Sequence, residues 1–309
     1  MHYIGLDKQI RKNNFNSFLL LIAFPALLLG MFYLFFAFTS NQTHEDPNIL
    51  FLRVMPFVLV VVGIWFLIAW SGNGAIIRMA TKSKPLERIE NKRVYNLVEN
   101  LCISQGMRNP NIYIIDDDSL NAFASGIDNR TYAISLSKGI IEKLNDEELE
   151  SVIAHELTHI KNRDTRVLII SIIFVGIFAF LAEMAFRSLR FVGSGKKDNK
   201  GSGVIILVAI VVTAIAYLIS ILLRFGISRK REYLADAGSA EMTKKPYALA
   251  NALRKISADP LIEAVERRDV AQLFIDNPQV SVRKSGSWDN MFATHPPIEK
   301  RIELLEQFV

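Results

Sequence analysis

Cysteine is nearly absent. Cys102 stands alone among 309 residues, so no intrachain disulfide forms and the fold does not depend on an oxidising compartment. No histidine lies near it in sequence and its neighbours are Leu101 and Ile103, so it reads as a buried thiol and not as a nucleophile. Charge is missing from whole stretches: residues 18–38, 50–70, 167–186 and 204–223 carry only Arg53 and Glu183 between them. Both fall near the end of a run, which disfavours a transporter component with mid-membrane polar sites. Half of the chain is hydrophobic and its mean hydropathy is +0.24, which excludes a disordered chain and argues against a purely soluble one.

What the chain does have is four apolar runs of about 20 residues, each long enough for a helix to cross a hydrocarbon core of about 30 Å. The first is long for a signal peptide, lacks a small-x-small cleavage site and is soon followed by the second, so it is expected to be retained. Lys8, Arg11 and Lys12 precede the first run, Arg78, Lys82, Lys84 and Arg88 follow the second, and the loop 39–48 between them carries only Glu45 and Asp46 as charges. Both flanks are therefore expected on the cytosolic side. The net charge of +5 and pI near 9.2 reflect such membrane rims, and no nucleic-acid partner is expected.

The loop 187–203 is basic, with Arg187, Arg190, Lys196, Lys197 and Lys200 against Asp198. The third and fourth runs therefore either depart from the positive-inside rule or do not fully cross, and in both cases their outer ends return to one side. The expected organisation is a membrane hairpin at 1–70, a cytosolic domain assembled from 71–166 and 224–309, and a second membrane hairpin at 167–223.

The chemistry is concentrated in residues 145–164. Asn145 reads as an N-cap, Asp146, Glu147 and Glu148 suit a helix N-terminus, and Leu149, Val152, Ile153, Leu157 and Ile160 form one apolar stripe. Inside this helix lies His155-Glu156-Leu157-Thr158-His159. Histidines four apart share a helix face and can reach one metal ion, and Glu156 can lean over a water beside it. Composition alone would produce an HExxH in such a chain about once in two hundred.

A catalytic zinc needs a third protein ligand. His295 and several carboxylates are available; Glu183 is set aside because 24 helical residues from His159 correspond to about 36 Å. Glu232 is the best candidate. His159 precedes the third run by eight residues and Glu232 follows the fourth by nine, so unbroken helices would hold both at one depth, about 12–14 Å from the membrane edge. Glu232 also reads as one partner in a charge cluster with Arg229 and Arg231. Asp236, one turn later, is either an outer partner for a ligating histidine or a salt-bridge partner for an arginine.

Together HELTH, the apolar hairpin behind it, Arg231-Glu-Tyr-Leu-Ala-Asp236, Asn121-Ala-Phe-Ala-Ser-Gly126 and Thr294-His-Pro-Pro297 resemble the HtpX-type membrane zinc metalloproteases, relatives of the CAAX prenyl proteases. The resemblance spans nearly the whole chain. It implies a mainly α membrane protein with four apolar helices and a small α+β, zincin-like metalloprotease domain in the cytosol. It also implies one zinc per chain on His155, His159 and Glu232, Glu156 as catalytic acid/base, and Asp236 as an outer-shell partner. Asn121 and His295 match positions near the substrate cleft; their structural readings are a turn residue and a helix-entry residue. Asn121 lies between expected strands at 112–115 and 131–135, where a strand edge could hold an extended peptide.

The implied function is endopeptidase cleavage of damaged or misfolded membrane proteins at the cytoplasmic face of a multi-pass protein of the cell membrane. Its partners would be membrane-protein or peptide substrates and the lipid bilayer. The alternative is a catalytically silent adaptor stabilised by zinc.

Overall fold

The computed structural model describes residues 6–43, 45–192, 200–225, 229–258 and 296–307; His295 and loop positions 193–199 lie outside them. In chain order the elements are α1 (Leu6–Thr43), α2 (Pro47–Thr81), β1 (Lys84–Pro85), α3 (Lys92–Gln105), β2 (Asn111–Ile115), β3 (Ala122–Ser125) and β4 (Ala133–Ser137). They continue with α4 (Lys138–Lys143), α5 (Asp146–Lys161), α6 (Asp164–Val192), α7 (Lys200–Phe225), α8 (Arg229–Thr243), α9 (Pro246–Ala258) and α10 (Ile298–Glu306). The fold is mainly helical with one small sheet, the class that the sequence implies.

Two compact units emerge from the internal contacts. One contains Phe15–Ser71 and Ile170–Gly226, and the other contains Met1–Asn14, Gly72–Ile169 and Ile227–Val309.

Within the first of these, helical stretches long and apolar enough to cross a membrane are Ile10–Ser40, Pro47–Thr81 and Asp164–Arg187, each extending beyond the unit's own bounds; α7 offers a shorter apolar stretch, Ile206–Ile219, among the described residues. Large apolar side chains such as Phe57 and Leu67 point outward at 71% and 64% exposure, an arrangement suited to lipid and costly in water. Aromatic rings join the helices internally. Phe24 stacks on Phe174 at 4.8 Å between ring centres, Phe66 meets Phe174 at 5.5 Å, and Trp65 meets Phe180 at 6.2 Å.

The second unit is built on a four-stranded sheet of order β1-β2-β4-β3. β2 and β4 run parallel, with Asn111 opposite Ala133, while β3 returns antiparallel along β4, with Ala122 opposite Leu136. The strands expected at 112–115 and 131–135 are present with shifted ends, and β3, between them in sequence, is an additional strand at the edge beyond β4. Gly126 makes the turn out of β3: its φ is +100°, and a Cβ there would stand 2.4 Å from the Thr131 carbonyl oxygen.

The core gathers Val94 and Val98 of α3, Ile134 and Leu136 of β4, Leu149, Val152, Ile153 and Leu157 of α5, and Leu253 and Ile256 of α9. Each such side chain contributes about 1.5–3 kcal/mol by leaving water. α5 is thus held on its apolar stripe, which frees its other face to carry chemistry.

Candidate metal centre

α5 begins with a full capping box. The Asn145 side chain accepts from the Glu148 amide at 2.9 Å, and the Glu148 carboxylate accepts from the Asn145 amide at 2.9 Å. The helix is shorter at its far end than its pattern predicts. It stops at Lys161, and Arg163, at φ 61°, turns the chain before α6 starts at Asp164. The unbroken rod assumed in the depth argument does not exist, because a left-handed residue interrupts it.

α8 lies across α5 at a point of minimal bulk. A Cβ on Gly238 would stand 2.5 Å from Thr158 Cγ2, and beside it the Ser239 hydroxyl donates to the Ser151 carbonyl at 2.6 Å. This close crossing brings the N-terminal half of α8, with Glu232 and Asp236, against His155 and His159. His155 Nε2 and His159 Nε2 are 3.2 Å apart, and the two Glu232 oxygens divide between them, Oε2 standing 3.7 Å from His155 Nε2 and Oε1 3.7 Å from His159 Nε2. All three donor atoms lie within 4.8 Å of one another, a spacing that one metal ion can bridge.

Behind these atoms stands a ring of charged partners. His155 Nδ1 is 3.0 Å from Asp236 Oδ1, and His159 Nδ1 is 3.0 Å from Asp164 Oδ2. In both cases a carboxylate at the far nitrogen favours the tautomer that leaves Nε2 as the lone-pair donor. Arg301 of α10 is completely buried; its Nε and Nη2 donate to Asp236 at 2.8 and 2.7 Å, and its Nη1 stands 3.6 Å from Glu232. Burial opposes ionisation of Asp236, but Arg301 and His155 outweigh it and hold the carboxyl below its usual range. Arg231 turns toward Asp164, donating to its carbonyl at 3.2 Å; the side chain of Arg229 lies outside the described residues.

Glu156 is 1% exposed, and among the described residues neither carboxylate oxygen has a well-formed hydrogen bond, the backbone of Ala124 offering only a weak one. Burial lifts this carboxyl above the ordinary carboxylate range, while nearby His155 and His159 and the backbone of Ala124 in β3 pull it down. An unsatisfied buried carboxylate is costly unless it serves a bound group.

Asn121 is fully buried just before β3. Its amide donates to the Ser137 hydroxyl at 3.0 Å and its side-chain oxygen accepts from the Ala122 amide at 2.9 Å. These bonds fix the start of the edge strand that packs against α5. His295 lies outside the described residues. Sequence reasoning missed Asp164 and Arg301. The latter did leave a signal: Ile298, Arg301, Ile302 and Leu305 share one helix face, so an arginine sits in an apolar stripe.

Nitrogen donors and a carboxylate converging beside a second buried carboxylate form a cluster that could hold a metal ion, carried by a chain with membrane-length helices. Residues 88–309 match peptidase family M48. A protein of Bacteroides fragilis (strain YCH46) named Protease HtpX homolog is 57% identical over 322 residues, covering 100% of both chains. Another of that name, from Ligilactobacillus salivarius (strain UCC118), is 33% identical over 97% of this chain and 99% of its own. Among solved structures, that of S. mikatae Ste24p aligns with 96% of this chain and 66% of its own at 19% identity and a TM-score of 0.47. On the first two of these matches the chain belongs to peptidase family M48, and it is a membrane metalloprotease of HtpX-like type.

Proposed function

We propose that the protein is a zinc-dependent endopeptidase that cleaves damaged or misfolded membrane proteins at the cytoplasmic face of the cell membrane, its metal held by His155, His159 and Glu232. One observation carries the reading. Tetrahedral zinc with bonds of about 2.0–2.2 Å sets neighbouring donor atoms about 3.3–3.5 Å apart; the two imidazole nitrogens stand 3.2 Å apart, each with a Glu232 oxygen 3.7 Å away, and one donor atom from each of the three residues lies within 4.8 Å of the others, beside a Glu156 carboxylate buried among the described residues.

Bound there, zinc supplies Lewis acidity toward a scissile carbonyl and acidifies water to a pKa of about 7. Glu156 takes a proton from the attacking water on a carboxylate oxygen and returns it to the leaving amine. Asp236 and Asp164 keep the two imidazoles in their donor tautomers, and Arg301 holds Asp236 in place. No side chain forms a covalent bond to substrate in this scheme. The β3 edge, set by Asn121, is the strand nearest Glu156 and the one against which an extended peptide would be held. His295 is assigned to the same cleft through its position in the Thr294-His-Pro-Pro297 motif.

The cytoplasmic orientation rests on the basic residues that flank the first two runs. Purified full-length protein incubated with an unfolded membrane protein tests the function. Cleavage should occur, stop with chelator and return with added zinc; zinc uptake without any cleavage would instead favour the silent adaptor.

A further inference from the structure

Residues 88–309 carry the family match, yet the charged ring around His159 draws on a residue far earlier in the chain. Asn13, in the third turn of α1, is 1% exposed. Its side-chain amide donates to Asp164 Oδ1 at 2.6 Å and to the Asn162 carbonyl at 2.8 Å. Both partners are acceptors, so the orientation of the amide is fixed. The other oxygen of Asp164 faces His159 Nδ1 at 3.0 Å. Asn14, the next residue, accepts from Arg163 Nη1 at 2.9 Å.

The two contacts differ in kind. Asn14 holds the side chain of Arg163, the left-handed residue between α5 and α6, and so only docks α1 onto the turn. Asn13 straddles the same turn but also occupies one oxygen of the carboxylate that orients a candidate ligand. Without that donor Asp164 Oδ1 keeps, among the described residues, only the longer contact with Arg231 Nη1 at 3.8 Å, and the Nδ1 bond that fixes the His159 ring loses its closest anchor.

We infer that Asn13 is a positioning residue of the metal centre, acting on His159 through Asp164, so that the helix carrying the first membrane span also completes the outer shell of the site. The inference rests on the zinc reading above. It predicts that metal retention depends on a residue more than 140 positions before the ligand it serves.

The test uses the full-length protein in detergent, loaded with zinc, and follows zinc loss to excess chelator alongside the visible absorption of the cobalt-substituted form. Asn13→Ala should lose zinc roughly ten- to a hundredfold faster than wild type, as expected for removal of an outer-shell partner. Asn13→Asp, of the same size but facing Asp164 with a like charge, should lose it at least as fast. Both should shift the cobalt spectrum, whereas Asn14→Ala should stay within about twofold of wild type with an unshifted spectrum.

Wild-type loss rates and spectra in both Asn13 variants would overturn the inference, and so would an Asn14→Ala variant as impaired as Asn13→Ala. Wild-type protein that takes up no zinc would overturn the metal assignment itself, a distinct outcome visible before any variant is compared.

Discussion

Arg301 grips Asp236 with both arms of its guanidinium, Nε to Oδ2 at 2.8 Å and Nη2 to Oδ1 at 2.7 Å, in a pocket closed to solvent. The same Asp236 oxygen that meets Nη2 stands 3.0 Å from His155 Nδ1. α10 is thereby tied to the α5–α8 pair by the group that orients a candidate ligand.

Breaking that pair should be expensive. Arg301→Met leaves a buried carboxylate uncompensated and is expected to cost about 3–5 kcal/mol, read as a lower melting temperature in detergent. Arg301→Lys should not restore it, because a single ammonium offers no fork for the two oxygens. A lysine variant with wild-type stability would contradict the role given to the two-pronged geometry.

Asp236→Asn addresses the metal side of the same contact. The neutral amide is a weaker acceptor for His155 Nδ1, and zinc affinity should fall roughly ten- to a hundredfold with the fold retained. Unchanged affinity in a competition titration would remove Asp236 from the metal's outer shell.

The crossing at Gly238 makes a steric prediction. Gly238→Ala places a methyl 2.5 Å from Thr158 Cγ2, inside a packed interface, and should destabilise by about 1–3 kcal/mol while lowering zinc content. Adding Thr158→Ala should recover part of that loss, so that the double variant is more stable than the sum of the two singles implies. Strict additivity would show that the two side chains do not compete for this space.

A pH effect follows from His155. In the metal-free chain burial opposes its protonation, but Asp236 and Glu232 outweigh burial and push its pKa up to about 9 from 6.5. Its contribution to stability is therefore fully present below the unfolded value and is lost as pH rises through the folded one. The melting temperature of chelator-treated protein should drop between pH 6.5 and about 9.5. Zinc-loaded protein should not show that drop, because the metal requires the neutral imidazole. A flat or rising curve for the metal-free form would contradict this account.

The sequence was most legible where the relevant geometry is local. Histidines four apart on a capped amphipathic helix have little choice of arrangement, and Asn145, Glu148 and the apolar stripe of α5 announce that helix directly. Glu232 was reached by a less secure route. Equal depth requires continuous helices, whereas Arg163 breaks α5 from α6; what joins Glu232 to the histidines is the close α5–α8 crossing at Gly238. Asn13, Asp164 and Arg301 were invisible as a group because their roles depend on contacts between segments as far apart as residues 13 and 164. β3 was obscured for another reason: a four-residue strand buried at every position, Ala122–Ser125, has no in-and-out alternation to betray it.

The most direct test of the central claim is zinc K-edge absorption of full-length protein loaded with one equivalent of metal, compared with Glu232→Ala. The account predicts two imidazole nitrogens and carboxylate oxygen at about 2.0–2.2 Å in wild type, with the carboxylate contribution lost in the variant. A wild-type spectrum without two imidazoles, or one that Glu232→Ala leaves unchanged, would contradict it.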